Sequence, residues 1–313
     1  MNSSHDPGSL AAPIIPNIPP ARISLLQRSM LHWVVRLLIT WFGFGLLTAG
    51  LVAGLQALSI DIDPNVSTGV LAVGSLLTVV LVTLLIERRN PARIGLDLRR
   101  FARDWLKGAA VGAAYLGASL GILALLGGYQ ITGFAFAGQA LAGGFVVQGL
   151  VGVFEEILFR GILFRFLEEG FGSWIALAIT ALFFGFSHLS NPHATTWSAI
   201  AIALEAGVLF GAVYMATRSL WVAMGLHTAW NFLQGDVFGV AVSGNGVSDS
   251  LFTPLIQGNP WLTGGAFGIE ASVISVVLGL GVGIYVLVQA VRQNRIMRGL
   301  WWRGGINLLS NGS

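Results

Sequence analysis

The fold is decided by the stretch FEEILFRG at residues 154–161, which places two carboxylates and a guanidinium within six positions. The 47 residues from Gly108 to Phe154, just before these charges, contain no Asp, Glu, Lys or Arg. An uncharged run of this length is typical of membrane spans, and an ionisable side chain inside a span costs about 2.5 kcal/mol or more. Glu155, Glu156 and Arg160 therefore predict a functional site within a membrane, with polar partners on other spans.

The composition of the whole chain is that of a polytopic membrane protein. Of its 313 residues, 55% are hydrophobic and only 10% are charged, and the mean hydropathy is +0.77. The formal net charge of +3 does not indicate nucleic acid as a partner. The chain has no cysteine, which excludes disulfide bonds and thiol chemistry. The partners we expect are membrane lipid and a peptide or protein substrate.

The hydrophobic runs predict an all-α fold with about eight transmembrane helices. We expect a disordered tail at residues 1–21, a single membrane domain at 22–292 with its motif core at 144–232, and a basic tail at 293–313. The predicted spans are residues 33–58, 69–86, two spans between 108 and 167 that part near 127–133, and then 173–189, 195–217, 220–234 and 270–291.

The basic residues predict the orientation of these spans. In an eight-span arrangement all 17 Lys and Arg residues fall in the two tails, in connectors after even-numbered spans, or at span ends bordering them. Cytoplasmic loops are the ones that carry an excess of Lys and Arg. Both termini are therefore predicted to be cytoplasmic, and the loop at residues 236–268 external. A bacterial inner membrane suits such a compact chain.

Four polar side chains on three predicted spans lie at similar depth. Glu155 is on the fourth span, His188 on the fifth, and His227 and Asn231 on the seventh. With about 1.5 Å of rise per helical residue, they lie roughly 12 to 24 Å from the cytoplasmic ends of their spans. If these spans are neighbours, the four side chains form one buried cluster.

Helical spacing separates the two adjacent glutamates. Glu156 and Arg160 are four residues apart, one helical turn, in the favourable order for an ion pair. Glu155 points about 100° away and cannot share that geometry. The spacing therefore predicts Glu156 as the paired carboxylate and Glu155 as the free one. A Glu–Arg pair at this spacing is also often a purely structural helix staple.

The other polar positions suggest further roles. Phe184 and His188 are four residues apart, so the phenyl ring can support the imidazole, and His227 and Asn231 share one face of their helix. Glu205 is an unpaired carboxylate on the sixth span that can line the same cavity. A single intramembrane histidine is commonly just a hydrogen-bond partner between helices.

These side chains together supply what hydrolysis of a peptide bond requires. A carboxylate and an imidazole can hold and deprotonate a water molecule. An imidazole and a carboxamide can donate hydrogen bonds to a developing oxyanion.

Three motifs in order resemble one family of membrane proteins. They are EExxxRG at residues 155–161, FGFSHL at 184–189 and HxxxN at 227–231. The chain resembles the CPBP family, which includes the Rce1-type CAAX prenyl endopeptidases and bacteriocin-processing proteins. The resemblance covers about residues 144–232.

The resemblance implies an intramembrane endopeptidase with named roles for four residues. It implies that Glu155 and His188 activate water and that His227 and Asn231 stabilise the oxyanion. It leaves Glu205 and the loop at 236–268 without a role. Family members act on prenylated CAAX proteins or are linked to bacteriocin immunity and peptide maturation, so a lipid-modified substrate is one of those that the resemblance implies.

Whether the protein needs a metal cofactor depends on which side chains could bind one. The family has been described both as metalloproteases and as glutamate-dependent proteases. A zinc site would use Glu155, His188 and His227, but the chain has no HExxH motif and Asn231 is a poor zinc ligand. We therefore expect no metal.

Two alternatives from other classes stay open at this point. Buried carboxylates and histidines at mid-membrane also form proton relays in transporters, whose mark would be an internal repeat or paired broken helices; neither is found in the sequence. A noncatalytic scaffold or immunity protein of the same fold would be expected to have lost one of the four polar residues, and all four are present.

The predicted orientation can be tested with topology reporters. A reporter fused after Ser313 is expected to be cytoplasmic, and one inserted near Asn245 external, because every basic residue falls on one side. Finding both reporters on the same side of the membrane would contradict the eight-span arrangement.

Overall fold

The computed structural model describes residues 32–247 and 249–299. The predicted tail at 1–21 and most of the predicted basic tail lie outside these residues. The helices, in chain order, are α1 (Trp33–Ala57), α2 (Pro64–Leu81), α3 (Phe101–Leu125), α4 (Gly138–Glu156), α5 (Arg165–Phe171), α6 (Ser173–Ser187), α7 (Thr196–Ile202), α8 (Val208–Thr217), α9 (Leu220–Phe232), α10 (Pro260–Thr263) and α11 (Val273–Arg292).

Seven helical stretches among the described residues are long and apolar enough to cross a membrane. They are Trp33–Ala57, Pro64–Ile86, Leu98–Leu125, Gly138–Phe171, Ser173–Ser190, Thr196–Thr217 and Val273–Arg292. The chain is therefore a helical polytopic membrane protein, as the composition predicts. The predicted seventh span corresponds to α9, whose 13 residues reach only about 20 Å. The count of eight spans and the orientation of the termini stay predictions.

A small antiparallel sheet is an addition to the predicted all-α fold. Strand β1 (Tyr129–Phe134) lies where the third and fourth spans were predicted to part, and it pairs with β2 (Phe252–Ile256). The register aligns Tyr129 with Ile256 and Phe134 with Phe252, with an irregularity between Ile131 and Gly133. The segment predicted as the long loop 236–268 thus contains β2 and α10. Neither strand is marked by a clear alternating pattern in the sequence.

Helix α9 lies at the centre of the bundle, where it packs most closely against α3 and α4. Glycine makes the approach of α3 and α9 possible. A Cβ atom on Gly108 would lie 1.9 Å from the carbonyl oxygen of Val222, and one on Gly225 would lie 2.1 Å from that of Trp105. Small residues at helix contacts let backbones approach in this way in membranes. This packing holds His227 and Asn231 of α9 in the interior.

A network of buried charges joins three helices at the bundle end that is predicted to be cytoplasmic. Glu87 accepts a hydrogen bond from Arg165 at 2.6 Å and lies 3.5 Å from the guanidinium of Arg36. Arg36 also pairs with Glu169, and the guanidinium of Arg165 stacks on the ring of Phe166 at 4.1 Å. Two cations and two carboxylates balance in this network, so each charge depends on the others.

We expect Glu87→Gln to destabilise the fold strongly. The substitution leaves two buried guanidinium groups with one full counter-charge, and breaking a buried ion pair costs about 3 to 5 kcal/mol. Thermal unfolding of the purified protein in detergent measures the effect. Asp61→Asn, at an exposed position in the turn between α1 and α2, is the control and should change stability by no more than about 0.5 kcal/mol. Equal melting temperatures for the two variants would contradict the role of the network.

Candidate active site

Three of the four π segments among the described residues lie around the polar centre; the fourth, Val82–Ile86, precedes Glu87. One π segment, Ile157–Phe164, begins directly after Glu156, and a second, Leu233–Val237, begins two residues after Asn231. The third, Ala203–Gly207, contains Glu205. Short π segments inside α-helices occur frequently at functional sites, because the extra residue re-aims the side chains. Their position here marks the bundle centre as the candidate site.

Glu156 is the anchor of this centre. Its side chain is fully buried, and its Oε1 atom accepts hydrogen bonds from Arg160 Nη1 at 2.9 Å and from His227 Nδ1 at 3.0 Å. Because a carboxylate only accepts, Nδ1 of His227 carries a hydrogen. The other ring nitrogen, Nε2, is thereby left to face Glu155. The sequence predicted the pair with Arg160 but not the bond to His227.

Arg160 connects the anchor to the sixth predicted span. Its guanidinium lies over the rings of Phe184 and Phe210, at 4.7 and 5.2 Å from their centroids. Its Nη2 atom lies 3.5 and 3.4 Å from the carbonyl oxygens of Ala206 and Gly207, in the π segment that holds Glu205. The cation is therefore enclosed by aromatic faces and by backbone acceptors.

Glu155 is the free carboxylate, as its helical position predicts. Its Oε2 atom lies 3.8 Å from Nε2 of His227 and makes no hydrogen bond to any described residue. Its side chain is 19% exposed, whereas that of Glu156 is 0% exposed. This oxygen is itself buried, although the side chain as a whole is partly exposed. The two adjacent glutamates thus occupy distinct environments.

His188 presents one nitrogen to the site. Its Nδ1 atom lies 2.7 Å from the carbonyl oxygen of Phe184, and since a carbonyl cannot donate, Nδ1 is the protonated nitrogen. The rings of Phe184 and His188 meet edge to face at 5.0 Å. Nε2 is therefore the nitrogen available for chemistry. No ion pair within 4 Å joins His188 to Glu155 among the described residues.

A small cavity brings several of these side chains together. The volume open to the centre of a water molecule is about 20 Å³, enough for about one water. The amide of Asn231, only 7% exposed, has no hydrogen-bond partner among the described residues. The residues that line the cavity are Tyr115, Phe184, His188, Ile202, Glu205, Ala206, Phe210, His227, Trp230, Asn231, Ser243 and Glu270.

Glu270 and Ser243 are lining residues that the sequence did not predict. The carboxylate of Glu270 accepts hydrogen bonds from Gln234 Nε2 at 2.9 Å and from the backbone N and the Oγ of Ser243 at 3.0 Å each. Burial raises the pKa of Glu270, and these hydrogen bonds oppose the rise. The bonds hold the loop after α9 against the cavity. A lone carboxylate just before the last hydrophobic run was the only signal in the sequence.

The polar centre does not form a cluster of metal ligands. Within residues 32–247 and 249–299, no group of three or more His, Cys, Asp or Glu side chains is arranged to hold a metal ion. Of the three ligands that a zinc site would use, His227 already donates Nδ1–H to Glu156, and only Glu155 lies beside its Nε2 atom. The expectation of no metal stays a prediction, because a histidine that donates Nδ1–H to a carboxylate keeps Nε2 free for a metal ion.

Comparison with known proteins points to one family for this part of the chain. The family model of type II CAAX prenyl endopeptidase Rce1-like proteins matches residues 137–233. A curated protein of Bacillus subtilis (strain 168), named "Putative membrane peptidase YdiL", is 31% identical over 87 residues, which are 28% of this chain. The match covers only a third, 33%, of the length of that relative.

The matched segment coincides with the geometry of the site. It contains Glu155, Glu156, His188, His227 and Asn231. The part of the chain that is similar to Rce1-like CAAX prenyl endopeptidases is therefore the part that carries these polar side chains.

Proposed function

We propose that this protein is an intramembrane endopeptidase that hydrolyses a peptide bond with an activated water molecule. The observation that carries the proposal is that the two adjacent glutamates differ in their hydrogen-bond partners. Glu156 is held between Arg160 and His227, whereas Glu155 has an oxygen without a hydrogen-bond partner beside Nε2 of His227. A free carboxylate in a partly exposed position is suited to take a proton from water.

Glu155 and His188 are the proposed water-activating pair. His188 keeps Nε2 free because Nδ1 is bonded to a backbone carbonyl, and so it can accept a hydrogen bond from the water. The negative charge of Glu155 makes it the stronger acceptor of the two. The water would lie between them, and its proton would pass to Glu155 as its oxygen attacks the carbonyl carbon.

His227 and Asn231 are the proposed donors to the oxyanion. They are one helical turn apart on α9 and both line the cavity. The amide of Asn231 is a donor that no described residue uses. His227 can donate from Nε2 only as the imidazolium, with Glu155 and Glu156 as its counter-charges, because Nδ1–H is already committed to Glu156. Such donors act on charge that develops in the transition state.

The proposed substrate is a peptide or protein that reaches the site from within or beside the membrane. The family model is that of prenyl endopeptidases, so a lipid-modified carboxy-terminal segment is the substrate class we propose first. No metal takes part in the proposed reaction, and Glu155, His188 and His227 act as acid–base and donor groups. A farnesylated peptide that ends in a CAAX sequence is the probe for the experiments below.

Glu155→Gln and Glu156→Gln are expected to fail in different ways. Glu155→Gln keeps the size of the side chain and removes the base, so the protein should fold with an unchanged melting temperature and lose cleavage of the farnesylated peptide. Glu156→Gln leaves Arg160 buried without its counter-charge and should lower stability by about 3 kcal/mol or more. Equal melting temperatures, with cleavage lost only in Glu156→Gln, would reverse the two roles.

Substitutions of Asn231 separate an oxyanion donor from a metal ligand. Asn231→Ala is expected to lower kcat by about 100-fold to 1000-fold with little change in KM, because the lost bond forms only in the transition state. Asn231→Asp should be no better, since it places an acceptor where a donor is needed. Steady-state cleavage of the farnesylated peptide measures both. An active Asn231→Asp enzyme would instead support a metal site, where Asp is the better ligand.

A further inference from the structure

The hydroxyl group of Tyr115 lies between two acceptors. Its oxygen is 2.5 Å from Oε2 of Glu205 and 2.7 Å from the backbone carbonyl oxygen of Ser275. All three residues are buried, and Tyr115 and Glu205 line the same cavity as His227 and Asn231. The packing is tight, because a Cβ atom on Gly279 would lie 2.5 Å from the hydroxyl oxygen of Tyr115. The glycine at position 279 therefore lets the hydroxyl lie close against the backbone of α11.

A count of protons then favours a neutral Glu205. A phenol has one hydrogen to donate, and a carbonyl oxygen has none. If Glu205 were ionised, one of the two short oxygen–oxygen contacts of Tyr115 would have no hydrogen between the atoms. Both contacts are satisfied when Glu205 is a neutral carboxylic acid that donates to Tyr115, while Tyr115 donates to Ser275.

The charges around Glu205 favour the same state. No nitrogen of Lys, Arg or His lies within 4 Å of its carboxyl group among the described residues. The cavity already holds the carboxyl group of Glu270, whose oxygens accept from three donors and have no need of a proton of their own. A second negative charge in the lining of this cavity, with no cation within 4 Å among the described residues, would cost free energy.

Tyr115 can also support Glu205 after the proton has left. Rotation of the hydroxyl turns its hydrogen from Ser275 to Oε2 of Glu205, where it stabilises a carboxylate. The same rotation accompanies movement of the acid hydrogen to Oε1, and the contact with Ser275 is then the one without a hydrogen. Oε1 makes no hydrogen bond to a described residue and is available to the cavity. Glu205 thus has a hydrogen-bond partner both before and after it gives up a proton.

We propose that Glu205 enters the reaction as a neutral carboxylic acid and gives its proton to the leaving amine. This inference rests on the proposed peptide hydrolysis. It assigns a catalytic role to a residue that lies outside the three motifs of the sequence.

Each of the two proton transfers in the proposed reaction involves one carboxyl group. Glu155 takes one proton from water, and the water oxygen bonds to the carbonyl carbon. The carbon–nitrogen bond then breaks, its electron pair goes to nitrogen, and nitrogen takes the proton of Glu205. The products are a carboxylic acid and an amine, with Glu155 protonated and Glu205 ionised. Transfer of a proton from Glu155 to Glu205, through water in the site, restores the resting protein.

Infrared spectroscopy tests the protonation state without any substrate. The purified protein at neutral pH should show the carbonyl band of a protonated carboxyl group, and this band should be missing in Glu205→Gln. The Gln side chain can donate to Tyr115 as the acid does, so we expect the variant to fold with an unchanged melting temperature. If the wild-type spectrum and the variant spectrum show the same band, Glu205 is ionised at rest and the proposal is overturned.

A pair of matched substrates tests the catalytic role. One is the farnesylated peptide, and the other is its analogue with sulfur in place of the scissile nitrogen. A thiol has a pKa of about 8.5, so the thiolate leaves without a proton. Glu205→Gln should slow cleavage of the peptide by about 100-fold or more and leave cleavage of the sulfur analogue within about threefold. Equal losses on both substrates, or no loss on the peptide, would overturn the role.

Two further variants separate this inference from the function on which it rests. Glu155→Gln should abolish cleavage of both substrates, because both need an activated water. If Glu155→Gln cleaves the peptide as well as the wild type, the proposed function fails, whatever Glu205 does.

Tyr115→Phe tests the role of Glu205 if Glu205→Gln does not fold. It should slow cleavage of the peptide and spare the sulfur analogue, because the carboxylate of Glu205 loses its donor; equal slowing would count against the inference.

Discussion

The constraint on which the site depends is the burial of the Glu156 carboxylate between Arg160 and His227. A buried charge without a partner costs several kcal/mol, so the two donors must lie where the carboxylate is. This requirement fixes α4 against α9, and through the backbone contacts of Arg160 it also fixes the segment after α7. One buried carboxylate and its two donors thus link three helices. Because Arg160 and His227 hold Glu156, the backbone next to it is also fixed, and the carboxylate of Glu155 is thereby positioned near His227.

The π segments explain how regular helices present so many polar groups to one point. A straight α-helix places Glu155 and Glu156 about 100° apart, so side chains of one neighbouring helix can usually contact only one of them. The π segment that starts at Ile157 carries Arg160 back to Glu156 while its side chain also reaches the carbonyls of Ala206 and Gly207. The extra backbone acceptors of a π segment are here partners for a cation. Local irregularity is therefore part of the construction of the site.

Much of the fold could be predicted because the bilayer imposes its own pattern. Long apolar runs and the break near residues 127–133 gave most of the helix bounds to within a few residues. The spacing of four residues predicted the ion pair of Glu156 and Arg160, since both residues lie on one helical stretch. The bond from His227 to Glu156 joins residues 71 apart and depends on how α4 and α9 pack. No local pattern encodes it, and the same holds for Tyr115 and Glu270. The β1–β2 pairing was missed for this reason too.

In the proposed reaction Glu155 takes a proton from water, and the water oxygen itself attacks the substrate. A single turnover in water enriched in 18O, with the enzyme in excess over the farnesylated peptide, distinguishes this step from attack by the carboxylate of Glu155. We expect one 18O atom in the new carboxyl group after the first turnover, and an unlabelled Glu155 when the enzyme is digested and analysed by mass spectrometry. An unlabelled product together with 18O in the side chain of Glu155 would show a covalent intermediate on that carboxylate and would contradict attack by water.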